Sequence, residues 1–248
     1  LVGSASSIPM PELMDIYSDY FYAEITGDFD SDGDGILGEW GEDSYDLEPE
    51  FRVGRIPLDE QERIEDVVSD TISFEAGEGG NFDKTMLGAS YIMITGDSAL
   101  LMEIISRNLL EPNGYDVIRI YEAGSPFPPD YELTRDVLKQ VWPTEAPRFF
   151  MWGSHGSTTG AGGFIRNEDA QYYESQGTPP TVVMSSACYN SSPERYDNLG
   201  ASLLGRCAVA FIGSTTIAHP GDLGEISLTY LLGLDHFLIR HSTISQSL

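Results

Sequence analysis

The stretch Thr181-Val182-Val183-Met184-Ser185-Ser186-Ala187-Cys188 decides how this chain is read. Pro179 and Pro180 lead into it, and Thr181 to Met184 is apolar and β-branched, the pattern of a short buried strand. Small residues then carry the chain to a cysteine, and Asn190, Ser191, Ser192 and Pro193 break it into a loop. A thiol at the C-terminal tip of a central strand stands where an open α/β sheet gathers its reactive groups. A second stretch upstream has the same design. Phe149-Phe150-Met151-Trp152 reads as an aromatic strand and runs into Gly153-Ser154-His155-Gly156-Ser157. Two strands, each followed by a loop with one reactive side chain, predict a Cys/His pair at one sheet edge. Such a thiol needs an imidazole to take its proton and return it to a leaving amine. It also needs donors for the developing oxyanion, and the N–H groups of Gly156 and Cys188 are the natural ones. Taken singly, Cys188 reads as a buried strand-end thiol and His155 as a loop histidine. The matched placement of the two favours catalysis.

The flanking sequence predicts an α/β fold with a doubly wound, mainly parallel sheet and helices on both faces. Strands are expected at 89–95, 115–121, 149–152, 181–184 and 209–213. Helical faces fall near 100–109, 133–141, 168–173, 199–204 and 223–240. Before Gly77–Asp83, a Gly/Glu/Asn linker, the reading is strand (20–25), acidic loop, strand (51–57) and helix. Asp59 is expected to cap that helix, with Glu62 three residues on and an apolar face of Ile64, Val67, Val68 and Ile72. Residues 1–78 thus read as the C-terminal part of a further α/β subdomain and 82–248 as the catalytic one. The first residues, Leu1-Val2-Gly3, and the last, at Leu248, suggest sequence missing at both ends, and any targeting segment with it.

The 248 residues carry 40 acidic and 13 basic side chains, a formal charge of −27. Phosphate contacts need a basic face, so nucleic-acid binding is excluded as an expectation. No apolar run is long enough to span a membrane. The acidity fits a secreted or salt-exposed protein, or a cation-binding one. Of the two cysteines, Cys207 opens the apolar run Cys207–Ile212 and is expected to be inert.

Asp28-Phe29-Asp30-Ser31-Asp32-Gly33 with Glu39 satisfies the twelve-residue calcium-loop pattern. Asp28, Asp30, Asp32 and Glu39 would supply carboxylates to Ca2+, and Asp34 a backbone carbonyl. Gly35 stands where such loops carry an apolar residue. A register starting at Asp30 places Asp32, Asp34 and Gly35 well, but puts Gly41, beside Glu42, at the last position. Close carboxylates repel without a counter-ion, which favours a structural Ca2+ over a solvated turn. There is no serine-hydrolase elbow, zinc-binding histidine pair or phosphate loop. His236 and His241 share no helical face, and His219 reads as an ordinary surface histidine.

Gly153–Ser157, followed by Ser185-Ser186-Ala187-Cys188-Tyr189-Asn190 with the cysteine thirty-three positions after the histidine, resembles the gingipain-type cysteine peptidases of the caspase-like clan. The likeness extends to the acidic loop Phe29–Glu39, to Val53-Gly54-Arg55-Ile56-Pro57, to Asn198-Leu199-Gly200 and to Phe211-Ile212-Gly213-Ser214-Thr215. It implies a caspase-like sandwich and an endopeptidase in which Cys188 attacks a peptide carbonyl and His155 is the general acid/base. It also implies protein or peptide substrates. The family carries a glutamate that orients the histidine; Asp97 is the matching residue here, and it reads equally as a helix cap. Arginine-specific members carry an aspartate where this chain has Ala99; Glu103 is a nearby acidic substitute that reads as easily as an exposed helix residue. A sortase-like transpeptidase of the same fold would use the same pair. A non-enzymatic calcium-binding surface module is the remaining reading.

Overall fold

The structure, a computed structural model, describes residues 1–46, 48–78, 81–92 and 96–218. The helix expected at 223–240 and the histidines at 219, 236 and 241 lie outside the described residues. In chain order the main elements are α1 (Gln61–Glu75), β1 (Asn81–Ala89), α2 (Ser98–Ile105), β2 (Asp116–Tyr121) and β3 (Tyr131–Glu132). They continue with α3 (Arg135–Glu145), β4 (Pro147–Gly153), α4 (Asp169–Ser175), β5 (Thr181–Ser186), α5 (Leu199–Leu203) and β6 (Ala208–Ile212). The six strands form one sheet in the order β6-β5-β4-β1-β2-β3, every neighbouring pair parallel. This is the doubly wound sheet that strand–helix alternation predicts.

The strands bury both faces, as parallel strands do. In β4, Phe150 and Trp152 point to one face with Met86, Ile120 and Val183, under Leu138, Trp142, Tyr173 and Leu203 of α3, α4 and α5. Phe149 and Met151 point to the other, with Leu87, Tyr121 and the α2 residues Leu101, Met102 and Ile105. The period of two thus sorts one aromatic run into two cores. Phe150 is fully buried, its ring centroid 5.1 Å from that of Trp142 and 4.8 Å from that of Trp152. Phe150→Ala is expected to lower unfolding stability by about 3–5 kcal/mol, a cavity cost read from denaturation midpoints.

Several local expectations are corrected. Residues 20–25 are not a strand: Asp19–Tyr22 is a 3-10 turn with Ser18 as its N-cap. Its aromatic rings pack on Phe29, which stacks on Tyr45 at 5.0 Å. Buried Glu24 turns its carboxylate onto the N–H groups of Thr26 and Gly27. Side chains, not a neighbouring strand, satisfy that backbone. Residues 51–57 give only an isolated bridge, Ile56 to Val2. Asp59 does not cap α1; it accepts from Ser4 N and Ser7 Oγ at 2.9 and 2.7 Å. Of the predicted α1 face only Val67 is buried, while Val68 and Ile72 are 46 % and 63 % exposed. Val67 packs with Ala201 and Leu204, and Arg63 donates to the carbonyls of both. α1 therefore shares its core with the elements beyond the linker.

The sheet strand lies at Asn81–Ala89, earlier than the expected 89–95, of which residues 93–95 lie outside the described residues. Its first residues, Asn81-Phe82-Asp83, are exposed, which hid it; Thr85 to Ala89 are buried. The sheet edge consequently falls at Ala89. Gly96–Asp97 belongs to a two-residue antiparallel pairing with Tyr91–Ile92.

Candidate active site

β4 and β5 run in register, with Ser185 opposite Trp152 and Ser186 opposite Gly153. His155 and Cys188 each stand two residues past that last rung, so the strands deliver both to one rim. Ser154 N donates to Ser186 O at 3.2 Å, carrying the pairing one step further. His155 is exposed and Cys188 half-buried, the exposure each needs to meet a ligand. Cys188 Sγ lies 3.9 Å from the carbonyl oxygen of Ala218.

The two loops touch at Gly156. A Cβ there would sit 2.4 Å from Cys188 O, 2.6 Å from Cys188 N and 2.8 Å from Ala187 Cβ. Only glycine permits that approach. From Gly156 the chain folds into a small hairpin, Gly156–Ser157 against Gly160–Ala161, closed by Gly162 N donating to His155 O at 2.8 Å. That bond makes 155/162 a bonded pair. Ladder alternation then leaves the Gly156 N–H facing away from Ala161. No acceptor among the described residues takes the N–H of Cys188. An open cleft of about 620 Å³ adjoins His155, lined by Ser90, Glu122, the hairpin, Arg166 and Glu168.

The nucleophile loop is held on both sides. Tyr189 adopts a positive φ of 60°, an unusual backbone state for a residue with a Cβ. Its N–H donates to Thr216 O at 2.9 Å, and Ser191 N to Ser214 O at 2.9 Å. Asn190 is fully buried and bonds to both loops. By sequence it reads only as a loop breaker. Its partners on the hairpin, Ser157 O and Gly160 O, lie some thirty positions away, and no local spacing encodes them.

The remaining candidates fall as follows. Asp97 is placed as a backbone position only; its side chain lies outside what the structure describes. Ala99 is buried. Glu103 is neither an exposed helix residue nor a free acidic group: it is 4 % exposed. Its Oε1 accepts from Arg119 Nε at 2.7 Å and Tyr121 Oη at 2.9 Å, and its Oε2 from Arg107. Burial opposes its charge, yet these donors hold its carboxyl below the ordinary range. Cys207 is fully buried, and burial pushes its thiol up, as expected of an inert cysteine. Both cysteines are free.

In the acidic loop the carboxylates of Asp30, Asp32 and Asp34 converge, and those of Asp32, Glu39 and Glu42 form an adjoining group. Asp28 stands aside and accepts from Asp30 N. Gly35 N donates to Asp30 Oδ1 at 3.0 Å, with Gly35 at φ +88°. Glu39 Oε2 is buried with no hydrogen-bond partner among the described residues. Its local burial first, then the charges of Asp34, Glu42, Asp32 and Asp43, hold the Glu39 carboxyl above its ordinary range.

A parallel α/β sheet that offers a cysteine and a histidine from adjacent strand ends is the framework of a caspase-like cysteine peptidase. The chain belongs to peptidase family C25, whose family model matches residues 1–240. No curated protein matches it. Among solved structures it is similar to the Arg-specific cysteine proteinase gingipain R, at 20 % identity and a TM-score of 0.66, over 88 % of this chain and 48 % of that one. It is also similar to Porphyromonas gingivalis RgpB, solved as a complex of pro- and mature domains, at 21 % identity and a TM-score of 0.63 over 88 % and 49 %. A third likeness, to a structure described as a protease, has 14 % identity and a TM-score of 0.67 over 92 % and 46 %. At these identities the likeness is one of fold, and the chain spans about half the length of each relative.

Proposed function

We propose that the protein is a secreted, calcium-stabilised cysteine endopeptidase in which Cys188 is the nucleophile and His155 the general acid/base. The observation that carries this reading is the shared register of β4 and β5, which sets both side chains two residues past one rung. His155 takes the proton of the Cys188 thiol, and the thiolate forms a C–S bond to the scissile carbonyl carbon. The oxyanion collects the N–H groups of Gly156 and Cys188; among the described residues no backbone acceptor takes the N–H of Cys188, and the hairpin ladder leaves that of Gly156 facing away from its partner strand. His155 then protonates the amine as the C–N bond breaks. Water, losing its proton to His155, hydrolyses the thioester and releases the thiolate. Asp97 is the candidate to orient His155. Peptide substrates enter by the cleft beside His155. The test is a product profile from denatured proteins, with and without prior alkylation of the enzyme. Hydrolysis products that vanish on alkylation support the reading; unchanged products would sink it. A transfer product on adding an amine nucleophile would mark a transpeptidase instead.

Calcium belongs to the same reading. Asp30, Asp32 and Asp34, with Glu39 and Glu42 beside them, are a hard-oxygen set of the kind Ca2+ takes. Buried Glu39 Oε2, with no hydrogen-bond partner among the described residues, is an oxygen that a cation would satisfy. The bound ion would neutralise this turn and tie it to the rest of the loop. Calcium at a hundred-fold excess over its Kd would add about 2.7 kcal/mol of stability. EGTA should therefore lower Tm by roughly 5–10 °C, and Glu39→Gln should shrink that shift. Secretion completes the reading: calcium sites of modest affinity are filled outside cells, and the charge of −27 suits a cation-rich medium.

A further inference from the structure

We propose that Asn190 is a positioning residue whose buried carboxamide clasps the nucleophile loop to the histidine hairpin, so that the Cys188 thiol and the His155 imidazole face each other. The inference rests on the Cys188/His155 reading above. Asn190 is fully buried. Its Nδ2 donates to Ser157 O at 2.7 Å and Gly160 O at 3.1 Å, both on the hairpin, and reaches Cys188 O at 3.3 Å. Its Oδ1 accepts from Ser185 Oγ at 2.6 Å, which fixes which end of the amide faces the hairpin. Its own carbonyl accepts from Gly200 N at 3.0 Å, anchoring the residue to the start of α5. One side chain therefore touches the C-terminal end of β5, the nucleophile's own carbonyl, and both strands of the hairpin that begins beside His155.

The chemistry of this clasp is specific. A primary amide offers two N–H donors at one end and an acceptor at the other. The hairpin and the nucleophile present only carbonyl oxygens. Alanine would remove the amide donors to those oxygens, and aspartate would set a carboxylate against three of them. Beyond the strands, the loops are otherwise joined by the packing of Gly156 on Cys188 and by Leu199 N donating to Thr158 O at 2.8 Å. Neither of these links the hairpin to the segment just behind the nucleophile through a side chain.

The experiment uses the full chain and reads three quantities: kcat, KM on a peptide the wild type cleaves, and the rate of iodoacetamide labelling at Cys188 at pH 7, located by mass spectrometry. A variant that is merely loosened exposes the thiol and labels faster. A variant that has lost its imidazole partner holds less thiolate and labels more slowly. Asn190→Ala is expected to lower kcat ~10²-fold with KM nearly unchanged, since a misplacement of about 1 Å costs that much, and to slow labelling. Ser185→Ala should act in the same direction by about tenfold, the size of one hydrogen bond; it decides the matter if Asn190→Ala does not fold. Asn198→Ala is the control. Asn198 is equally an interior asparagine of this region, capping α5 and bonding to Ser192 O and Arg195 O, but it makes no bond to the hairpin. It should lose Tm while keeping kcat and labelling rate. If the Asn190 and Ser185 variants match Asn198→Ala, or label faster than wild type, the clasp is overturned. A wild type that neither cleaves peptide through Cys188 nor labels there faster than a free thiol would overturn the pair itself, and the clasp with it.

Discussion

Cys188→Ala is expected to abolish peptide hydrolysis, with kcat falling at least ~10⁴-fold, as when a nucleophile is removed from a unit that works together. His155→Ala should fall as far, and the double variant no further, because neither group does chemistry without the other. The loss should not come with unfolding. Cys188 is half-buried, and its sulfur touches the Ala218 carbonyl only at 3.9 Å. Cys207→Ala is the opposite case. That thiol is fully buried within the core formed by Val183, Leu199 and Leu203. Its removal should cost about 1 kcal/mol or more of stability and leave hydrolysis intact. Activity assays and thermal melts on the three single variants check the pattern. Wild-type rates from Cys188→Ala would refute the proposed chemistry outright.

Gly156→Ala should be nearly as damaging, for a steric reason. A methyl group at this position meets Cys188 O at 2.4 Å and Cys188 N at 2.6 Å. Ordinary contact needs roughly 1 Å more. Both near atoms are backbone, so neither can swing aside as a side chain would. The hairpin and the nucleophile loop must part, and the imidazole and thiol part with them. kcat/KM is expected to fall ~10²-fold or more, with a drop in Tm. Gly156 has no positive φ, so the cost comes from the close approach and not from backbone strain. Gly33, at φ +76° with open space around it, is the contrast: Gly33→Ala should cost stability modestly and leave the rate alone. A Gly156→Ala enzyme of normal activity would show that the two loops do not meet this way.

Much of the sheet was legible because its strands are short, apolar and bounded. Phe149–Trp152 and Thr181–Met184 carry their own signal, since a parallel strand buried on both faces needs apolar side chains at successive positions. β1 was misplaced because Asn81 to Lys84 leave the core and look like loop. Tyr20–Ile25 was misread because aromatic residues favour strands only where a partner strand exists; here Phe29, Tyr45 and the Glu24 carboxylate take the partner's place. Glu103 showed its charge in the sequence but not its neighbours. Arg119 and Tyr121 reach it from β2, sixteen and eighteen positions on.

The sequence alone determined the chemistry available: a strand-end thiol, a loop imidazole, a run of carboxylates, and strands to carry them. Residue type and local pattern suffice for that, because propensity and periodicity act over a few neighbouring positions. The tertiary structure decided which of these groups meet. The in-phase pairing of Gly153 with Ser186, the bare Cα of Gly156 against the Cys188 backbone, and the Asn190 amide across both loops all join segments some thirty residues apart. Such contacts exist only once the sheet has closed and water has left the rim, so no stretch of the chain could announce them beforehand.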